Sequence, residues 1–533
     1  MLRDDPTQSI ALQNLSRLLL DQEKYPEAIR LAANAIARQP GNTLFELCLA
    51  DALCMNGDYD AAIHRYGRAL QSSEKSMAAL LGRARAHRSK GDVEGAVADL
   101  RLAISMDPGF PQPSYELANL LRTDGRLDQV LEVLEALVER RPNDADAHLN
   151  LGNFLKELGE FDRARAEYRF AENLLPHSPL PYQAMAYLLL ELGDYDGAHR
   201  AFYSAFVLRH GRGFGREELF VPHKVSEEAG GKLVMSAFYF ENMIGHIGRL
   251  IEGGRLHPSF RKLVELYGSV QEGLDFPDAV DCRITVPESV AAAIRPFCHL
   301  ALHYAPPGMI PSRALAGDPG DYYRRLEDDY LGSSLPCVVL DNALSQAALE
   351  GLREFCLDST IYFQQSPSGF LFSHVHDGFS CPLLYQIAAE LKQNFPRVLG
   401  GLPLKEVWAY RYPHSGDGVR PHTDQAAVTV NFWITEQSAN ERPDSGGLVV
   451  YAKEQSLDVD WFEQNYNKHD EHMRHQIAVD ITSSAAITIP YMENRAVIFR
   501  SNLYHQTDEY WFRDDYTGRR LNVTLLFGAR GSD

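Results

Sequence analysis

No stretch of this 533-residue chain approaches the roughly 18 uninterrupted apolar residues of a membrane-spanning helix. Cysteine is scarce. The seven (Cys48, Cys54, Cys282, Cys298, Cys337, Cys356 and Cys381) are scattered, odd in number and never spaced Cys-x-x-Cys. That excludes a zinc ribbon or a disulfide framework and suits a reducing cytoplasm, where thiols act as small buried hydrophobes. Basic residues are in deficit: 52 Lys and Arg against 72 Asp and Glu, a formal charge of -20. A nucleic-acid partner, which needs clustered cations to neutralise phosphates, is therefore not expected. The opening Met1-Leu2-Arg3-Asp4-Asp5 lacks the apolar segment of a signal peptide. These absences lead us to expect a soluble, cytoplasmic protein without a membrane partner. Its length exceeds what one hydrophobic core supports, so two or three domains are expected.

What is present begins with a ruler. Ala28, Ala62, Ala96, Val130, Ala164 and Ala198 recur every 34 residues, and so do Ala35, Ala69, Ala103, Leu137, Ala171 and Ala205. Gly57, Gly91, Gly125, Gly159 and Gly193 keep the same period, as do Pro40, Pro108, Pro142 and Pro176, with Glu74 and His210 as departures. Alanine suits the close crossing of two helices, glycine a left-handed turn between them, and proline the end of the second helix. Tyr25, Tyr59, Val93, Leu127, Phe161 and Tyr195 supply an apolar plug before each alanine. The pattern resembles the tetratricopeptide repeat. About six repeats over residues 1–210 imply an all-α solenoid whose concave face takes a protein or peptide, or which scaffolds a homo-oligomer.

The period ends near residue 211. Gly-rich pieces alternate with helical patterns at Ser259–Gln271 and Pro287–Ala301, and we read residues 211–330 as a helical connector. From residue 331 to 533 the texture is short strand-like runs: Trp408–Tyr412, Val428–Ile434, Leu448–Tyr451, Ala485–Ile489, Ala496–Phe499 and Leu521–Phe527, with a helix at Gln346–Cys356. Many short strands with helices before them suggest a jelly-roll or cupin-like barrel.

Within this third stand His422-Thr423-Asp424 and, much later, His505. Residues i and i+2 of a strand share a face, so His422 and Asp424 can point into a barrel together. Two histidines and one carboxylate are the facial set of non-haem Fe(II). Alone, His-x-Asp is a common tripeptide, and the pair could lie on the surface with His505 an unrelated core residue. The ordered set followed by a basic strand favours metal. In Arg520-Leu521-Asn522-Val523-Thr524-Leu525-Leu526-Phe527, Arg520, Asn522 and Thr524 share one parity, while Leu521, Val523, Leu525 and Phe527 take the other. Arg520 thus faces the polar side and is our candidate to grip an anionic cosubstrate through its planar fork. Arg519 has the opposite parity and reads as a surface or supporting cation.

The segment resembles the Fe(II)/2-oxoglutarate-dependent dioxygenases, which carry His-x-Asp, a distal His and then a basic residue. Here Arg520 follows His505 by fifteen positions. The run from Tyr412 through Gly416 and Gly418 to His422 resembles the prolyl-hydroxylase-like branch. The resemblance implies a double-stranded β-helix, Fe(II) held by His422, Asp424 and His505, and 2-oxoglutarate held by Arg520 with Tyr412, Asn431 and Asn522. It also implies O2 as co-reactant, with ascorbate as a possible aid, and hydroxylation of a C–H bond. The long gap from Asp424 to His505 implies an insert around Gln455–Thr482.

Other conspicuous residues carry less. His374 and His376 imitate a second metal pair without a third ligand and read as pocket lining or surface. His469, His472 and His475 read as a solvated helix face, Trp408, Trp433 and Trp461 as core aromatics. Asp444-Ser445-Gly446-Gly447 reads as a turn whose glycines permit close approach to substrate. The expectation is a hydroxylase acting on a protein or peptide captured by the repeats. Its rivals are an oxygenase of a small molecule or glycan, with the repeats serving assembly, and a non-catalytic repeat scaffold or oxygen/iron sensor.

Overall fold

A computed structural model of the chain describes residues 6–73, 76–220, 231–278, 281–310, 312–317, 320–455, 471–482 and 484–531. They form two compact units, Met1–Pro176 and His177–Asp533.

The first unit is five helix pairs: α1 (Pro6–Asp21) with α2 (Tyr25–Arg38), α3 (Thr43–Met55) with α4 (Tyr59–Ser72), α5 (Met77–Lys90) with α6 (Val93–Met106), α7 (Pro111–Thr123) with α8 (Leu127–Arg140), and α9 (Ala145–Glu157) with α10 (Phe161–Leu174). The alanine combs are the crossing points: Ala28, Ala62, Ala96 and Ala164 are wholly buried. The glycine comb is left-handed, with φ from +76° to +85° at Gly57, Gly91, Gly125 and Gly159. The acidic residue after some of these turns starts the next helix, since the Asp58 and Asp92 carboxylates accept from the amides of Ala61 and Gly95. The N-terminal part of the chain is a tetratricopeptide solenoid.

The register runs on through a sixth pair, α11 (Pro179–Glu191) and α12 (Tyr195–His210), but this pair belongs to the second unit. Its Leu190, Ala198 and Phe202 enter that unit's main core, and the His210 ring stacks on Phe363 at 3.9 Å. Next come β1 (Val234–Ser236), α13 (Ala237–Glu252), α14 (Arg261–Glu272), β2 (Arg283–Thr285), α15 (Glu288–Cys298) and α16 (Asp321–Gly332). This stretch, expected as a connector, shares one hydrophobic core with the strands that follow. Among the described residues no helix is long and apolar enough to cross a membrane.

The strands are β3 (Cys337–Leu340), β4 (Gln364–Gln365), β5 (Leu371–His374), β6 (Leu404–Arg411), β7 (Ser415–Gly416), β8 (Val428–Trp433), β9 (Leu448–Glu454), β10 (Ala486–Ile489), β11 (Arg495–Arg500), β12 (Leu503–Thr507), β13 (Tyr510–Trp511) and β14 (Leu521–Phe527). Helices α17 (Gln346–Asp358) and α18 (Pro382–Asn394) precede β6, and α19 (Glu471–Thr482) precedes β10. One antiparallel sheet has the order β3-β11-β8-β14-β6-β5-β4, and a smaller one β10-β9-β12. Alternation sorts the large sheet's side chains. Val407, Val430, Phe432, Ile498, Val523 and Leu525 pack on the helices, whereas Trp433, Val497 and Phe499 share a second core with Leu448, Val450 and Leu503 of the small sheet. The two ladders stay separate, so the expected jelly roll is met by facing antiparallel sheets and not by a closed barrel.

Candidate metal centre

The strand ends bring the three proposed ligands together. His422 and His505 form an isolated antiparallel bridge in which each backbone amide donates to the other's carbonyl, at 3.0 and 2.9 Å. The next inward-facing residue, Asp424, donates its amide to Ser501 O at 2.9 Å. One donor atom from each of His422, Asp424 and His505 lies within 4.8 Å of the other two. His422 Nε2 is 3.8 Å from Asp424 Oδ1, and His505 Nε2 is 3.5 Å from Asp424 Oδ2.

Each imidazole is oriented by its other nitrogen. His422 Nδ1 lies 2.8 Å from Arg420 O, and His505 Nδ1 3.0 Å from Leu503 O. A carbonyl only accepts, so both Nδ1 atoms carry the proton and both Nε2 lone pairs face inward. Metal bonds of about 2.1 Å at right angles place donors about 3 Å apart, so small side-chain rotations would close this set on a divalent ion. The donor chemistry, two imidazoles and a carboxylate, fits Fe(II).

The triad and Arg520 line one narrow pocket of about 30 Å³. Arg520 is 1% exposed, and its Nε donates to Gly446 O at 2.8 Å. The guanidinium carbon lies 4.6 Å from the Tyr412 ring centre. Among the described residues Nη1 is buried with no hydrogen-bond partner, and no carboxylate forms an ion pair with this arginine. A buried cation with an idle donor is costly unless an anion completes it, so the residues fit a carboxylate ligand. Burial pushes the phenols of Tyr491 and Tyr510 up, keeping both neutral; the Arg520 charge acts in the opposite direction.

The other cosubstrate candidates share the same wall. Asn431 and Asn522 line the pocket; the Thr524 hydroxyl donates to Asn431 Oδ1, and Asn522 Oδ1 is buried with no hydrogen-bond partner among the described residues. Tyr412 lines it too, with its ring face against the arginine. Arg519 turns away. It pairs with Glu241 at 3.1 Å and Asp514 at 2.5 Å and lies over Phe238.

Four contributors escaped the sequence reading. Trp433, taken for a core aromatic, lines the pocket and buries an unpartnered indole N–H; Trp408 does the same. Strand parity carried that signal for Trp433, two positions beyond Asn431. Thr429 donates to Asp424 Oδ2 at 2.7 Å, again on the parity of Asn431. The Gly446 carbonyl left no signal. At its neighbour Gly447 a Cβ would meet Ile489 O at 1.8 Å, so close strand packing requires that glycine. His374 and His376 stack on each other at 5.2 Å, and Tyr187 of α11 reaches both His376 Nδ1 (2.7 Å) and Glu406 (2.9 Å). His469 and Trp461 lie outside the described residues, as does the 456–470 part of the insert expected around Gln455–Thr482; His472 and His475 fall on α19, whose first-half side chains are also outside them.

Comparison with known proteins identifies the N-terminal part. Two tetratricopeptide-repeat profiles match, one over residues 14–63 and 47–111 and the other over 87–150 and 121–169. Among curated proteins, the human protein O-mannosyl-transferase TMTC1 is 26% identical over 181 residues, 33% of this chain and 20% of that protein. The tetratricopeptide repeat and J domain-containing co-chaperone DNJ1 of Cryptococcus neoformans is 32% identical over 98 residues, 18% of this chain and 19% of that one. The chain thus spans about a fifth of the length of the first curated relatives it matches. Among solved structures, MamA is 22% identical, covering 31% of this chain and 91% of that one, with a TM-score of 0.27. YrrB, described as a TPR protein with an unusual peptide-binding site, is 18% identical over 33% and 91%, also at 0.27.

Proposed function

We propose that the second unit is an Fe(II)- and 2-oxoglutarate-dependent hydroxylase on an open double-stranded β-helix, and that the repeats bind the protein or peptide it modifies. The observation that carries this reading is one pocket lined both by a two-histidine, one-carboxylate set and by a buried arginine that, among the described residues, has no carboxylate partner. Bound iron and 2-oxoglutarate would supply O2 activation, the cosubstrate being decarboxylated to succinate as a substrate C–H bond is hydroxylated.

The chain's own groups do the rest. His422, Asp424 and His505 would hold the ion on one face, leaving the opposite positions for cosubstrate and O2. Arg520 binds the distal carboxylate of 2-oxoglutarate and so sets its orientation. The aromatic walls (Trp408, Tyr410 and Trp433) exclude water from the reacting end. For the partner, the first unit offers a cavity of about 660 Å³ whose wall includes Leu44, Leu47, Asp51, Leu81 and Arg85. Mixed apolar and charged lining in a repeat solenoid suits an extended polypeptide.

The test is direct. Protein supplied with Fe(II), ascorbate and 2-oxoglutarate should yield succinate, with His422→Ala and Arg520→Ala suppressing it. Partners trapped by the repeats should gain one oxygen in mass, and Asp424→Ala should abolish that gain. A mark appearing only on a metabolite or glycan would leave the repeats as an assembly device. No succinate under any condition would leave a scaffold or sensor.

A further inference from the structure

Behind the carboxylate of the triad lie two buried hydroxyls that the proposed chemistry does not itself require. Thr429 Oγ1 is 2.7 Å from Asp424 Oδ2, and Ser501 Oγ is 2.8 Å from Thr429 Oγ1. Thr429 and Ser501 are wholly buried, and Asp424 is 5% exposed. The carboxylate can only accept, so the single hydroxyl proton of Thr429 goes to Asp424. The second contact then requires Ser501 to donate to Thr429. The order is fixed: Ser501 to Thr429 to Asp424.

The same serine holds the aspartate's main chain. Its carbonyl accepts from the Asp424 amide, and its own amide donates to Ala427 O at 3.0 Å. Backbone and side chain of Asp424 are thus both referred to Ser501, at the junction of β11 and the turn into β12. Rotation of the carboxylate about its Cβ–Cγ bond would break a charge-assisted bond made to a wholly buried hydroxyl, where little solvent can replace it. Oδ1, the oxygen without this bond, lies 3.8 Å from His422 Nε2, and Oδ2, which carries it, lies 3.5 Å from His505 Nε2.

We infer that Thr429, backed by Ser501, is a positioning residue that restricts Asp424 to one-oxygen coordination. This rests on the reading of the triad as a divalent metal site. The consequence is a count of open positions. A six-coordinate ion held by two imidazoles and one carboxylate oxygen keeps three positions, enough for a chelating cosubstrate and O2; a two-oxygen carboxylate leaves only two. The Thr429 hydroxyl therefore protects the position on which O2 chemistry depends.

Mn(II) serves as the probe, because its affinity and its number of bound waters are read by electron paramagnetic resonance in 17O-enriched water without turnover. Wild-type protein should bind one Mn(II) carrying three waters. Thr429→Val, which keeps the shape and deletes the donor, should weaken binding by about 10–100-fold and lose one water. Thr429→Ser should restore both, and Ser501→Ala should fall between. Wild-type affinity and water count in Thr429→Val would overturn the inference, as would Thr429→Ser behaving like the valine variant. Should the valine variant not fold, Ser501→Ala decides: wild-type affinity and water count there would overturn it. Absence of stoichiometric Mn(II) binding in wild-type protein would instead overturn the metal reading itself.

Discussion

Arg520 should be a residue that the folded protein tolerates and its ligand needs, and replacing it by methionine separates the two. The substitution removes the Nε bond to Gly446 O and the contact with the Tyr412 ring. Leaving that carbonyl unmet costs about 1–3 kcal/mol, and a desolvated cation–π contact is worth about 2. Against this, an unpaired guanidinium at 1% exposure carries a penalty of several kcal/mol, and burying a methionine returns about 1.5–3. The balance lies between about zero and 3 kcal/mol in favour of Arg520→Met without ligand. Binding moves the opposite way: losing one partner of a buried charge pair costs about 2–5 kcal/mol, roughly 30-fold to several-thousand-fold in affinity. Urea unfolding of the ligand-free proteins gives the first quantity. Titration of Mn(II)-loaded protein with 2-oxoglutarate under argon gives the second. A variant less stable by more than about 2 kcal/mol that binds 2-oxoglutarate as wild type does would refute the reasoning, because Arg520 would then be a structural cation.

Other consequences are open to similar tests. Burial pushes His210 and His246 down to about 4, so the folded state holds both neutral while the unfolded chain protonates near 6.5; their stabilisation is complete above pH 6.5 and drains away between there and pH 4, on the order of 3 kcal/mol each. A His210→Asn, His246→Asn protein should show a flatter pH dependence in urea unfolding across that window, and an unchanged slope would refute this. Gly447→Ala drives a methyl into Ile489 O and should cost more than about 3 kcal/mol in thermal or urea unfolding, whereas Gly159→Ala, left-handed but with open space around it, should cost about 1–2. Residues 177–533 expressed alone should fold, but residues 211–533 should not. Losing α11 and α12 uncovers the partners of Leu190, Phe202 and Phe206, about 5–9 kcal/mol of burial against a typical total of about 5–15. Circular dichroism and hydrogen exchange of the two fragments would settle the point.

How much of this was legible depended on how far each signal travels along the chain. The repeat was readable because every unit writes the same small residues at the same spacing, and each only has to meet its neighbour. Strand parity was readable for a like reason: Arg520, Asn522 and Thr524 fall on one side of β14 by alternation alone, and the structure has them in one pocket wall. The partners of those residues were not readable. Arg519 meets Glu241 across 278 positions, and Arg520 meets a glycine carbonyl 74 positions away. A carbonyl is offered by every residue, so composition cannot flag it. Arg411 shows the same limit on the helix side of β6. It is wholly buried, stacked on Tyr516 at 4.2 Å, where an apolar residue would be the natural expectation. The middle stretch read as a connector because its helices are amphipathic, and amphipathicity does not say which core they serve.

The helix pair that keeps the 34-residue register while filling the other unit's core has a consequence for how such a chain can change over time. Within the first unit each pair packs on its neighbours, so whole repeats can be gained or lost there, lengthening or shortening the reach of the array. The sixth pair has no such freedom. Its Tyr187 and Arg209 are committed to Glu406 and Asp377, at the margin of the sheet that carries Trp408. Repeat number can therefore vary among the pairs before Pro176, whereas the sixth pair is held in place by the core of the second unit.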